Sequence, residues 1–159
     1  MTELYPPFQA KVDQLLELAK AYELPVGVHM GLRTFDQQDG LYALGRTVKN
    51  PDGFDAIKKP LGNIVTRAKG GESWHNYGLA VDIVFKIGPK QAWSWDGKLP
   101  WERLGALGGA LKFQWGGLWK ARDLPHFQWD TGFSVREALA LYKDGGLQRV
   151  WDKLGGEHV

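Results

Sequence analysis

The run at residues 79–85, LAVDIVF, sets one carboxylate, Asp82, among six apolar residues. A short apolar run with turn residues before it reads as a buried strand. A carboxylate buried there without a partner would cost roughly several kcal/mol. The fold must therefore bring something to Asp82. His75 lies seven residues upstream, in the turn-rich stretch GGESWHNYG at 70–78. Gly78 permits a tight reversal, and a reversal at 76–78 brings the two side chains together. The pair reads either as a hydrogen-bonded couple in a core or as part of a metal site.

The rest of the chain narrows the ligands. There is no cysteine, which removes disulfides, thiolate sites and a cysteine nucleophile. Of the four histidines, His158 is penultimate and reads as a frayed end, and His29 as a core or cleft residue rather than a ligand. His75 and His126 remain. Two histidines and a carboxylate with an open fourth position form a catalytic zinc site, although such a donor set also accepts other divalent metals. In KARDLPHFQW, residues 120–129, His126 follows Asp123 by three with Pro125 between them. If His126 holds the metal, Asp123 lies beside the open position and can take a proton from the attacking water. The blander reading makes Asp123 a turn residue, with Asp130 as the other nearby carboxylate.

A chain of 159 residues suits one domain with a hydrophobic core. Its 43% hydrophobic and 24% charged residues are ordinary for a soluble globule. The net charge of +2, with no block of like charges, gives no nucleic-acid-binding stripe. Residues 1–20 lack the basic start and apolar run of a signal peptide, and no segment has the ~20 apolar residues of a membrane span. The expectation is a soluble monomer, made without an export signal and neither inserted in membranes nor bound to nucleic acid.

Apolar spacing predicts helices over 8–21, 35–44, 100–111, 134–143 and 147–154. Thr34 with Gln37 and Ser134 with Glu137 fit capping boxes, and Gly45 fits a helix C-cap. Strands are expected at 26–30, 78–85, within 113–117 and 126–130, and a short one at 64–66. Residues 46–72 otherwise read as a long loop, a feature that is usually functional, and 86–100 as a second loop. Trp101 and Trp151 fall at helical spacing and read as core. The other tryptophans flank turns and motifs, where some line a groove and others pack. Residues 131–159 read as a helical extension packed on a single domain at 1–159.

SWHNYGLAVD, residues 73–82, matches the S-x-H-x-x-G-x-A-x-D signature of the zinc D,D-carboxypeptidase and L-alanyl-D-glutamate peptidase superfamily, and DLPHF, residues 123–127, matches its second motif. GLRTFDQQDGLYALGRT at 31–47 and WGGLW at 115–119 resemble the phage endolysin branch. The resemblance spans residues 8–130. It implies an α+β fold in which a small antiparallel sheet flanked by helices carries one zinc ion. It implies His75, Asp82 and His126 as metal ligands and Asp123 as catalytic base, where many relatives have glutamate. It implies that Arg33 binds substrate carboxylate or polarises the carbonyl, and that Gln38 contributes to substrate binding. On their own, Arg33 has the blander reading of a surface ion-pair residue beside a helix start, and Gln38 that of a plain polar helix position.

The function implied is hydrolysis of the peptide stem of bacterial peptidoglycan, at the L-alanyl-D-glutamate bond. The protein would be made in the host cytoplasm and reach the wall after release. Two rivals stand: a D,D-carboxypeptidase acting on D-Ala-D-Ala, and a non-catalytic wall-binding module with a structural metal.

Overall fold

This computed structural model describes residues 3–157 of the chain; His158 lies outside them. The first helix, α1 (Pro6–Ala21), opens on two prolines, which suit a first helical turn because their missing N–H groups would be unpaired there anyway. Its stripe of Phe8, Val12, Leu15 and Ala19 is fully buried. Strand β1 (Val26–Met30) follows, then α2 (Phe35–Ala43). The Thr34–Gln37 capping box forms: Gln37 N donates to Thr34 Oγ1 (3.0 Å), and Thr34 N to Gln37 Oε1 (2.8 Å). Helix α2 ends one residue early, at a cap on Leu44, and Gly45 follows it at φ +80°. Its apolar stripe is only half-buried, and the residue it buries is Gln38.

Strand β2 (Ala80–Ile87) is the centre of a five-stranded antiparallel sheet. It begins two residues later than the expected strand at 78–85, because Gly78 (φ +70°) is still reversing the chain. A Cβ at Gly78 would press at 3.0–3.2 Å on the backbone of residues 3–5, so the position needs glycine for space as well as for φ. Strand β1 lies on one edge of β2. Strands β3 (Ala92–Ser94) and β5 (His126–Gln128) share the other, and β4 (Gln114–Trp115) pairs outside β5. Strand β3 lies inside the expected second loop. Conversely, residues 64–66 form no strand. Ile64 and Val65 are exposed, and the Thr66 carbonyl accepts from Arg46 Nη1 (2.8 Å) rather than from a neighbouring strand.

Helix α3 (Trp101–Ala110) and the helical run α4 (Val135–Glu157) complete the order. Run α4 leaves helical geometry at Gly145 and Gly146, so it is two helices in the sense the sequence suggests. Side chains alternate across β2: Val81, Ile83 and Phe85 point into the core with α1, Trp101 and Leu104 of α3, and Ala138, Val150 and Leu154 of α4. Asp82 points to the opposite face, as the alternation requires. Trp151 is only half-buried, with its indole N–H donating to the Tyr77 carbonyl (2.7 Å). This bond ties α4 to the turn that carries His75. No helix among the described residues is long and apolar enough to cross a membrane.

Candidate active site

Strand register creates half of the site. Asp82 on β2 is paired directly with His126 on β5, and opposite residues of an antiparallel pair carry neighbouring side chains. His75 comes from a 3-10 turn, Trp74–Tyr77. The turn is fastened by Asn76, whose Oδ1 accepts from Gly71 N and Ser73 N (3.0 and 3.2 Å) and whose Nδ2 donates to the Arg33 carbonyl (2.9 Å). The ligand atoms of His75, Asp82 and His126 lie within 4.8 Å of one another.

The donor set fits zinc. His75 Nε2 is 3.4 Å and His126 Nδ1 3.7 Å from Asp82 Oδ1. The edge of a tetrahedron with ~2.0–2.1 Å metal–ligand bonds is about 3.3 Å. Both tautomers are fixed from outside. His75 Nδ1 donates to the Gly31 carbonyl (2.9 Å), which leaves Nε2 with its lone pair. His126 Nε2 donates to Gln128 Oε1 (2.7 Å), and Gln128 Nε2 donates on to Gln114 (3.1 Å). Such outer bonds orient metal-binding imidazoles and raise their basicity. Burial alone would raise the Asp82 pKa, but attraction to the His126 and His75 rings in their protonated, metal-free form outweighs it and holds the carboxyl well below the usual range.

The three residues sit in a cleft of ≈ 630 Å³ that Arg33, Asp123, Trp95 and Trp119 also line. Asp123 Oδ2 is 3.9 Å from His126 Nδ1, and its side chain is half exposed to the cleft. Partial burial pushes its pKa up, against the pull of His126. Asp130 does not line the cleft and instead accepts from Gly132 N in a surface turn (3.0 Å). Arg33 is largely buried, with Nη2 3.7 Å from Asp82 Oδ2 and Nη1 donating to Gln38 Oε1 (2.7 Å). Burial lowers its pKa while Asp82 and Asp123 oppose the shift. Gln38 itself does not line the cleft; its amide bridges Arg33 and the Ala68 carbonyl (2.8 Å).

The sequence reading missed several supports. Gln128 and Asn76 were visible only as motif neighbours, and Trp119, whose ring lies 5.0 Å from that of His126, only as one tryptophan among eight. Tyr77 is core, fully buried with its hydroxyl donating to the Gly71 carbonyl (2.6 Å). His29 is neither core nor ligand: it is exposed, beside Trp93 and Trp95. Gly116 also matters. Its carbonyl accepts from Asp123 N (2.9 Å), and a Cβ there would strike the Asp123 backbone and sit 3.1 Å from the Cβ atoms of Asp123 and His126. Gly116→Ala is therefore expected to displace the base and one ligand together. Overpacking of this kind costs about 1–3 kcal/mol. Melting and zinc titration should show lower stability and weaker metal binding, and equal values for variant and wild type would refute the contact.

The chain is 36% identical over 135 residues to the peptidoglycan L-alanyl-D-glutamate endopeptidase CwlK of Bacillus subtilis, covering 80% of this chain and 74% of that protein. The chain belongs to the zinc D,D-carboxypeptidase and L-alanyl-D-glutamate peptidase superfamily. The superfamily's D-alanyl-D-alanine carboxypeptidase profile matches residues 66–129, the segment that carries all three ligands and Asp123. Two solved structures share the fold of this peptidase. The L-Ala D-Glu endopeptidase ChiX of Serratia marcescens aligns with a TM-score of 0.53 at 23% identity, over 81% of this chain and 82% of its own. The LD-carboxypeptidase LdcB aligns at 0.52 and 20% identity, over 84% and 74%. The protein is a zinc metallopeptidase, and the expected sheet with its metal cluster and flanking helices is the one observed.

Proposed function

We propose that this peptidase hydrolyses the L-alanyl-D-glutamate bond in the peptide stem of peptidoglycan. The observation that carries the reading is the His75–Asp82–His126 cluster with Asp123 beside it in one cleft, in a chain 36% identical to an endopeptidase of that specificity. When bound, the ion makes water nucleophilic near neutral pH and polarises the scissile carbonyl. His75, Asp82 and His126 would hold it in the wall of the cleft. Asp123 takes a proton from the attacking water as the oxygen–carbon bond forms. It returns the proton to the amine nitrogen as the carbon–nitrogen bond breaks. Its raised pKa suits both halves of that exchange. Arg33 keeps Asp82 oriented through Oδ2 and offers its charge to the substrate, and Gln38 holds Arg33 in place rather than touching substrate.

The finer assignment is to the phage endolysin branch, as a monomer made in the bacterial cytoplasm that reaches the wall after release. The likeness of residues 31–47 and 115–119 to that branch, and an aspartate as the base, support it.

Purified peptidoglycan should yield peptide-free glycan ending in L-alanine and stems beginning at D-glutamate, read by mass spectrometry. Release of D-alanine alone would instead assign the carboxypeptidase activity named by the family profile. Tight metal binding with no cleavage would make the protein a wall-binding module.

A further inference from the structure

The metal cleft does not end at the metal. The register of β1 against β2 slips by one residue, since Val28 faces Ile83 while Met30 faces Asp82. The extra residue is His29, and a bulge of this kind re-aims a side chain beside a site. Its ring stands edge-on to two indoles, 5.2 Å from Trp93 (83°) and 5.0 Å from Trp95 (86°). Trp93 is covered on one side by Lys86, whose Nζ lies 4.6 Å from the ring centroid. Trp95 is 52% exposed and is itself a wall of the metal cleft. Packing inside the fold does not account for so large an open indole. The His29 ring makes no hydrogen bond among the described residues, and the residue is exposed at the shelf's edge.

Distance selects the occupant. Ser94 pairs with Phe85, so Trp95 falls near the level of Val84, two positions from Asp82. At ~3.3 Å per residue that is about 7 Å along the strand. In peptidoglycan the L-alanine of the stem is joined through one lactyl unit to a hexosamine ring. From the L-alanyl carbonyl to that sugar is therefore one residue and one residue-sized link, about 7 Å when extended. An enzyme cutting this bond must accommodate a pyranose that far from its metal. A pyranose presents an apolar C–H face, which suits an indole, and polar edges, which suit an imidazole.

Resting on the endopeptidase reading above, we infer that Trp95, propped by His29, which itself packs on Trp93, is a saccharide subsite that stacks on the muramyl ring of the glycan strand and sets a preference for glycan-linked stems over free peptide.

The test compares two substrates, a soluble disaccharide-pentapeptide and the same pentapeptide without sugar. It uses zinc-loaded wild type, Trp95→Ala and Trp95→Phe. Trp95→Ala should lower kcat/KM on the sugar-bearing substrate by roughly five- to tenfold more than on the free peptide, the scale of a lost ring contact. Trp95→Phe should recover most of the loss. Titration with the N-acetylglucosaminyl-N-acetylmuramic acid disaccharide alone should quench wild-type tryptophan fluorescence and do so less in Trp95→Ala. Equal losses on both substrates, or none on either, overturn the subsite. If the wild type leaves the L-alanyl-D-glutamate bond intact but binds the disaccharide through Trp95, the reaction assignment falls and the subsite stands. If it neither cuts nor binds, both fall.

Discussion

Asp123→Asn should lower kcat on peptidoglycan stems by about 10²–10⁴-fold, the usual contribution of a positioned proton-transfer group, while the protein still binds one zinc ion. Asparagine keeps the volume and the polar surface but cannot take a proton. Asp123 stands 3.9 Å from His126 Nδ1 and half exposed in the cleft. Its loss removes no hydrogen bond from the metal-ligand scaffold, because His75 is held by Gly31 and His126 by Gln128. Metal content and melting temperature should therefore match the wild type. KM should change little, because the proton transfer belongs to the transition state. Asp130→Asn is the control: that carboxylate caps a turn outside the cleft and should leave kcat within a factor of about two. An Asp123→Asn protein that keeps most of its activity would remove Asp123 from the base position. A variant that also loses its zinc would mean that the carboxylate supports the metal instead.

The metal cluster was legible because two independent signals converge on it. A carboxylate in LAVDIVF demands a partner, and SWHNYGLAVD is a motif that supplies one. The buried stripe of α1 and the Thr34 cap were equally plain, since each depends on local spacing. What escaped depends on partners far away in the chain. Strand β3 has three residues, too few to show a period, and exists because β2 runs past the end of β5 and offers it an edge. Residues 64–66 look like a strand by composition, yet Arg46 takes the carbonyl a neighbour strand would need. The resemblance implied Gln38 as a substrate contact, as a polar position on the helix that follows Arg33. Its burial beneath Arg33 follows from how α2 docks, which no local pattern encodes. His29 is the same case: only the slipped register of β1 turns it toward Trp93 and Trp95.

Removing the metal should abolish turnover and leave a folded protein that melts lower. The core holds α1, α3, α4 and the sheet together without any contribution from the site, so chelation should not unfold the chain as it does a small zinc module. The apo cluster is also not an unpaired buried charge, because Asp82 keeps His75, His126 and Arg33 around it. The loss is then the linkage term alone. Zinc at 100 to 1,000 times its Kd stabilises by about 2.7–4.1 kcal/mol. At about 2–4 °C per kcal/mol for a chain of this size, the melting temperature should rise by roughly 5–16 °C on reloading. The gain should depend on pH in a defined direction. In the metal-free protein burial pulls the His126 pKa down, but hydrogen bonds with Asp82 and Gln128 prevail and set it above 6.5. Metal binding needs the neutral ring and must displace that proton. The zinc-induced rise should therefore be largest above the His126 pKa and shrink as pH falls through it. His126→Ala, which deletes the titrating ligand, should bind zinc weakly and lose this pH dependence with its activity. Scanning calorimetry of apo and reloaded protein from pH 5 to 9 reads the stability changes, and a turnover assay on the same samples reads the activity. A melting temperature indifferent to zinc at every pH would mean that the three side chains do not close on a metal.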